Sequence, residues 1–317
     1  MEESVVSDSG DLQNIPPGVH SMATVLDPAN DVEATQQPIA IDSLAVIVPV
    51  YNEDRTVAEL LRRLEAQPCV SQIIIVDDGS TDGTWQELAH WRARASVQWE
   101  QNAAESQKRL AAGELSIIVL QHDRNCGKGR AIRTGLDQVT RSHVIIQDAD
   151  LEYDPADISK LWQVMQSDQA KAVYGSRYLE TPDLQRGRFV LQSGVRFLNL
   201  LVRLIYGVRL TDEATCYKMF RTSDLRQMRL QCERFEFCPE VTAKAGILRL
   251  RIIEVPVSYL PRSHAVGKKL RFRDAIPAVF TLLRVRLLSK KSVFVNGSTQ
   301  GVWLASRQEM NGGLGKL

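Results

Sequence analysis

No run of ~18 uninterrupted apolar residues, the length a bilayer-spanning helix needs, occurs in this 317-residue chain. The best candidate, AIPAVFTLL (275–283), is stopped by Arg284 and Arg286, so no transmembrane helix is expected. Cysteine is scarce and scattered: Cys69, Cys126, Cys216, Cys232 and Cys238 are odd in number and form no CxxC pair. That excludes a zinc-ribbon spacing and a disulfide framework and points to a reducing compartment. The N-terminus lacks an apolar core, so neither a signal peptide nor secretion is expected. Residues 1–42 contain no Lys or Arg, yet they hold eight acids: Glu2, Glu3, Asp8, Asp11, Asp27, Asp31, Glu33 and Asp42. The formal net charge of +1 therefore conceals a basic body, with 39 basic against 30 acidic residues beyond position 42, a net of +9. Such a surface suits an anionic ligand or an anionic membrane. A nucleic-acid partner is not expected, and the sequence leaves the oligomeric state open.

What is present is a repeated strand–helix pattern. The first 42 residues are Ser/Pro/Gln-rich without periodicity and read as a disordered acidic tail. LAVIVPVYNE (44–53), SQIIIVDDGSTDGT (71–84), LSIIVLQHD (115–123) and HVIIQDAD (143–150) each read as a buried strand running into polar residues. Helical patterns separate them: 54–67, a helix opening at Thr84 and Trp85 and continuing through the polar stretch 99–114, and 124–139. Four such alternations predict an α/β, Rossmann-like, doubly wound and mainly parallel sheet in a single domain over 43–290. A Gly/Ser/Asn-rich, flexible tail is expected over 291–317. In such sheets ligands bind beyond the carboxyl ends of the strands, which here carry PVYNE, VDDGS, RNCGKG and QDADLE.

The acids of VIIQDADLEYDP (144–155) are the sharpest signal. Side chains two apart on a strand share a face, so Asp148 and Asp150 converge, and hard divalent cations take carboxylate oxygens. A solvated Asp-Pro turn is the alternative, but the position at a fourth polar strand end favours a cation site. Asp77 and Asp78 are placed to accept hydrogen bonds from a ligand, while Ser80 to Asp82 shape a turn and helix cap. Tyr51 and Glu53 either meet a base or open a helix. RNCGKGRAIRTG lacks the GxxxxGK[ST] pattern, so its glycines serve close packing and Lys128 and Arg130 project. Downstream, Arg177, Arg262, Lys268 and Lys269 are candidates for phosphate contacts. The helical segment 188–210 carries Gln192, Arg196, Asn199 and Arg203 in one polar stripe on an otherwise apolar circumference. It either packs half-buried or lies in a membrane interface.

Taken in order, VPVYNE, IIIVDDGSTDGT, NCGKGRAIRTG, IIQDADLEYDP, VYGSRY, TDEATCYKMFR, FEFCPEVTAKA and EVPVSYLPR…GKKL resemble the family 2 glycosyltransferases of the GT-A fold. The branch they resemble is that of the dolichol-phosphate and polyprenyl-phosphate sugar synthases. The resemblance implies that Pro49, Tyr51, Glu53, Val76 and Asp78 hold the nucleotide base and that Asp148, Ala149 and Asp150 hold metal and diphosphate. It further implies Glu152 as a third metal ligand, Arg177 and Arg262 on donor or acceptor phosphates, and Lys268 or Lys269 beside them. Asp148, Asp150, Arg177 and Arg262 are thus the expected catalytic residues. Two departures stand out: DEATCYKMFR replaces the DxTxGFR of dolichol enzymes, and the QxxRW signature of processive polysaccharide synthases is missing.

The expected activity is metal-dependent, inverting transfer of a hexose, mannose or glucose, with Mg²⁺ or Mn²⁺ as cofactor. The donor would be GDP-mannose or UDP-glucose and the acceptor polyprenyl or dolichyl phosphate. The protein would attach peripherally to the cytoplasmic face of a membrane through segment 188–210. A lipid phosphate needs no general base, whereas a glycan or glycolipid hydroxyl, the main alternative, would need Asp212, Glu213 or Glu240. A nucleotide-sugar-binding protein without turnover is the non-enzymatic alternative.

Overall fold

The computed structural model describes residues 19–20, 43–97, 115–167, 170–179, 189–262 and 275–287. The expected helix continuation over 99–114, Lys268, Lys269 and the C-terminal segment 291–317 lie outside the described residues.

One mixed sheet organises the molecule. Its strands are β1 (Val19–His20), β2 (Leu44–Val50), β3 (Val70–Asp77), β4 (Ser116–His122), β5 (His143–Ile146), β6 (Ala172–Ser176), β7 (Lys218–Arg221) and β8 (Ile252–Pro256), in the order β1-β4-β3-β2-β5-β7-β6-β8. The block β4-β3-β2-β5 is parallel throughout, as is β6 with β8, while β7 runs antiparallel to both its neighbours. The chain winds outward from β2 to β4 and then returns to place β5 beside β2. The order therefore reverses between β2 and β5, and their carboxyl ends form the crevice where such sheets bind ligands.

One departure from expectation sits at the far edge. Val19 and His20, within the segment read as a tail, pair antiparallel with His122 and Gln121. The edge of β4 offers unpaired backbone groups, and a passing extended segment satisfies them whatever its side chains. The rest of 1–42 lies outside the described residues.

Helices cover both faces, as the strand–helix alternation predicts. Helices α1 (Val57–Glu65), α2 (Thr84–Val97) and α4 (Ile158–Met165) cover one core, built on Val46, Val48, Ile73, Ile75 and Val173. Helices α3 (Lys128–Asp137), α6 (Thr222–Gln227) and α7 (Phe237–Ile247) cover the other, on Ala45, Ile47, Ile74, Val76 and Phe220. The alternation of neighbouring strand residues between the two cores is the period-2 rule in operation. Helix α1 buries Val57, Leu60, Leu61 and Leu64, an i, i+3, i+4, i+7 stripe, and turns Arg62 outward to pair with Glu59. Helix α2 is capped by Asp82, whose carboxylate accepts the Thr84 amide at 2.9 Å. A third apolar cluster joins α5 (Phe189–Tyr206), α7 and α8 (Ala275–Leu287) through Leu198, Val202, Ala243, Ala278, Leu282 and Val285.

Glu65, at the end of α1, makes a measurable demand on this packing. Burial pushes its carboxyl up to about 7, only partly offset by the Trp91 side chain. A carboxyl raised on folding favours the native state while protonated, so stability falls as pH rises from about 4.5 through 7. Glu65→Gln removes that loss. It should raise stability by about 1–3 kcal/mol at pH 8 and change it little at pH 5, read by urea denaturation at the two pH values. An equal effect at both pH values would refute the assignment.

Candidate active site

The first two strand ends lock to each other. Asn52 takes a left-handed conformation (φ 53°) after β2; its amide donates to Ser80 Oγ at 2.9 Å and its Oδ1 accepts the Thr81 amide at 2.8 Å. The Glu53 amide donates to Thr84 Oγ1 at 2.7 Å. Gly79 (φ 68°) is required between them, because a Cβ there would lie 2.4 Å from the Arg124 carbonyl carbon.

Asp78, expected at the nucleotide base, is instead 3% exposed and spent on the loop after β4. Its Oδ1 meets His122 Nδ1 at 2.7 Å and the Cys126 amide at 2.9 Å, and its Oδ2 accepts the Gly127 amide at 2.7 Å. Asp78, His122 and Cys126 converge closely enough to hold an ion. The carboxylate is already saturated by these partners, and His122 Nε2 meets Thr134 Oγ1 at 3.0 Å, so the cluster is a brace. It fixes the NCGKG loop at the start of α3. Val76 is fully buried in the sheet and presents no side chain to a ligand; Pro49 and Tyr51 are half-buried at the end of β2.

The acidic motif lies past its strand rather than on it. Strand β5 ends at Ile146, and Asp148 and Asp150 occupy the turn that follows, with Leu151 left-handed (φ 57°). Lys128, at the start of α3, reaches Asp148 at 2.5 Å; that carboxylate raises the Lys128 pKa although burial opposes it. Burial, Asp148 and Glu152 together push the Asp150 carboxyl up to about 7. An acid so crowded by like charge is relieved by a cation, and two hard carboxylates suit Mg²⁺ or Mn²⁺. Ala149, between them, is buried, and its carbonyl accepts the Thr56 hydroxyl at 2.8 Å.

Glu152 does not fit the role of third metal ligand. Its Oε2 accepts the Tyr259 hydroxyl at 2.5 Å and its Oε1 the Arg262 amide at 2.9 Å, so it braces the loop that delivers Arg262. Arg262 in turn donates to Glu53 Oε2 at 2.6 Å and to the Asp150 carbonyl at 2.9 Å. Glu53, expected on the base, therefore anchors an arginine.

Arg177 is the most enclosed cation of the site, its side chain 8% exposed. Nε and Nη2 form a two-pronged pair with Asp212, each at 2.7 Å, and Tyr259, Tyr178 and Tyr153 lie 5.0, 5.7 and 5.9 Å from its guanidinium carbon. Asp212 is held from behind: Glu254, on β8, accepts the Thr211 amide at 2.8 Å and the Asp212 amide at 3.0 Å. Tyr153, Tyr259 and Glu254 were not singled out in the sequence. The first two lie inside DLEYDP and VSYLPR, where a tyrosine within the acidic motif and one beside Arg262 are the signals on offer.

Of the three acids that could serve a hydroxyl acceptor, two are spent on ion pairs and the third is buried. Asp212 is fully buried on Arg177. Glu240 pairs with Lys244 at 2.5 Å and accepts the Gln231 and Cys232 amides. Glu213 is 1% exposed, and burial pushes its carboxyl up against the pull of Lys218.

A mixed sheet whose parallel block ends in crowded carboxylates, with Arg262 donating to the Asp150 carbonyl, has the fold of the GT-A glycosyltransferases. The chain belongs to glycosyltransferase family 2, whose model matches residues 45–229. It is 27% identical over 252 residues to the dodecaprenyl-phosphate galacturonate synthase of Rhizobium johnstonii, covering 78% of this chain and 67% of that one. It is 32% identical over 237 residues to the undecaprenyl-phosphate 4-deoxy-4-formamido-L-arabinose transferase of Pseudomonas aeruginosa. That match spans 73% of this chain and only 62% of the relative's length. The UDP-N-acetylglucosamine–dolichyl-phosphate N-acetylglucosaminyltransferase of Methanococcus voltae is 25% identical, with 76% and 95% covered. Among solved structures, glucosyl-3-phosphoglycerate synthase of Mycobacterium tuberculosis with Mn²⁺, UDP and phosphoglyceric acid shares the fold. Its TM-score is 0.53 at 16% identity, over 79% of this chain and 80% of that one.

Proposed function

We propose that this protein transfers a hexose, with inversion, from a nucleoside-diphosphate sugar to polyprenyl phosphate at a membrane surface. The observation that carries the acceptor is the fate of Asp212, Glu213 and Glu240. All are buried, and two are spent on ion pairs, so none is placed to deprotonate a hydroxyl. A lipid phosphate oxygen is already an anion and needs alignment only. Arg177 and Arg262 are the groups to align phosphates, each held in place by a carboxylate. Asp148 and Asp150 would hold Mg²⁺ or Mn²⁺, which when bound would offset the charge that develops on the departing diphosphate. A binding protein without turnover is the weaker reading, since the acidic pair and both arginines are complete. The named relatives also point to lipid-phosphate acceptors, and their sugars widen the candidates beyond mannose and glucose.

The membrane assignment rests on an apolar surface. Helix α5 exposes Phe197, Leu200 and Leu204, and α8 exposes Ile276, Phe280, Leu283 and Leu287. Arg196, Arg203, Arg284 and Arg286 are exposed on the same two helices. Asn199 of the polar stripe turns inward instead: it donates to the Thr211 carbonyl at 2.7 Å and accepts the Glu213 amide at 2.9 Å. The side chain of Gln192 lies outside the described residues. Among the described residues no helix is long and apolar enough to cross a membrane. Apolar side chains flanked by arginines suit the interface of an anionic bilayer. Leu204→Glu with Phe280→Glu should weaken partitioning onto anionic liposomes at least about tenfold, by sedimentation, without lowering Tm. Unchanged partitioning would sink this attachment.

The central test supplies GDP-mannose, UDP-glucose, UDP-N-acetylglucosamine or UDP-galacturonate, each labelled in the sugar, with undecaprenyl phosphate and Mn²⁺. Label entering the organic phase with one donor is the expected result. Label entering only hydroxyl-bearing glycans, with none in the organic phase, would overturn the lipid-phosphate reading.

A further inference from the structure

A cavity of about 200 Å³ opens between α3 and α6, away from the strand-end crevice. Arg130, Arg133, Arg226 and Arg229 line it with a single acid, Asp137. None of Lys128, Asp148, Asp150, Arg177 and Arg262 lines it, and it extends from Arg130 near the start of α3 to the far end of that helix. Helix α3 starts at Lys128, beside Asp148, and runs back along the sheet; Asp137 at its end is ~14 Å further along the axis. Helix α6 begins just after Arg221, which pairs with His143 at the start of β5, the opposite end from the acidic turn.

Two of the four guanidinium groups are held by neutral acceptors. Arg133 Nη1 donates to the Gln231 carbonyl at 3.1 Å. Arg226 Nη2 donates to the Leu136 and Val139 carbonyls at 3.0 and 2.7 Å, which closes the end of α3. These bonds fix the groups in place without neutralising their charge. Burial pushes the Asp137 carboxyl up, against Arg226, Arg133 and Arg130, and one acid faces four arginines in the cavity.

Arg229 supplies an independent observation. It sits past the end of α6 in a left-handed conformation (φ 46°), a position where helices favour glycine or asparagine. Its amide donates to the Arg226 carbonyl at 3.2 Å, and its carbonyl accepts Lys244 Nζ at 2.8 Å, so the backbone is pinned. A strained backbone that carries an arginine where glycine would be easier points to a use for the side chain.

We propose that this cavity binds a phosphate-class anion, either free in solution or as the head group of an anionic lipid. Forked guanidinium groups match phosphate oxygens, and the volume falls below the ~300–1,000 Å³ of sites for drug-sized ligands, which excludes a nucleotide sugar. Arg284 of α8 donates to Gln231 Oε1 at 3.5 Å, beside the carbonyl that holds Arg133. Gln231 thus links Arg133 of the cavity to the helix with the exposed apolar face, and a lipid is one source of the anion to test.

The test uses the full chain with Mn²⁺ and, in separate runs, UDP or GDP at saturation, so that the strand-end crevice is filled. Thermal unfolding is followed against inorganic phosphate, with NaCl at matched ionic strength. In parallel, binding is measured to phosphatidylcholine vesicles with and without phosphatidic acid. Arg229→Asn, which eases the backbone and should fold at least as well as wild type, is compared with Arg133→Gln/Arg229→Asn. The expected result is a response to phosphate, or to phosphatidic acid alone if the source is a lipid, whose half-saturation rises at least about tenfold in the double variant. A response no larger than that to NaCl in both arms, or one undiminished in the double variant, would overturn the proposal.

Discussion

Asp150→Asn should reduce transfer by at least about a thousandfold while leaving the fold intact. The side chain is isosteric, and its Oδ1 retains the bond from the Glu152 amide at 3.1 Å. What it loses is charge, at a position pressed by burial and by Asp148 and Glu152. The stability of the metal-free protein should therefore hold or rise, although activity collapses. A variant that loses activity by unfolding would show neither feature. Three measurements separate the cases: the melting temperature without metal, its shift on adding Mn²⁺ with a nucleoside diphosphate, and label transfer. Retention of more than a tenth of wild-type transfer would remove Asp150 from the cation site.

The second large effect concerns Arg177 and Asp212. Asp212→Ala leaves a guanidinium enclosed by tyrosines without its carboxylate, which costs about 3–5 kcal/mol for a buried pair broken on one side. Arg177→Ala leaves the reverse problem, a fully buried carboxylate. Removing both should cost clearly less than the sum of the single changes, by about 1–3 kcal/mol in a urea double-mutant cycle. Additive losses would show that the pair does not act as one unit. Glu254→Ala extends the test, because it releases the Thr211 and Asp212 amides while leaving both side chains of the pair in place. Transfer should fall with Glu254→Ala and be partly rescued by Glu254→Gln, whose amide oxygen still accepts one of those bonds.

The parallel block was legible because each of its strands is a dense β-branched run buried on both faces, as in Ile73–Val76. The antiparallel β7 was harder to see: Lys218 is a fully buried position, and its ammonium is held by the Glu213 and Thr215 carbonyls at 2.5 and 2.8 Å. No hydrophobic pattern announces a lysine that is satisfied by backbone. At the site, residue types were legible and partnerships were not. Arg262 reaches the Asp150 carbonyl and Arg177 pairs with Asp212, while Glu53, Asp78 and Glu152 bond to loop groups. A carboxylate on a ligand and one on a neighbouring amide look the same in a sequence, since the choice is made by contacts across 49 to 209 positions. The exposed apolar residues of α5 and α8 show the same limit: the pattern shows two-sidedness, and only packing tells which side is covered.

The bond between Glu53 and Arg262 has a consequence for how the protein is made. The two residues are 209 positions apart, so at ~5–20 residues per second a ribosome delivers the second roughly 10–40 s after the first. During that interval all four parallel strands have been synthesised, yet Glu53 waits without its partner and the acidic turn without the loop that Glu152 secures. The bond that anchors Arg262 is therefore withheld until position 262 has been made, and until then the strand edge lacks it.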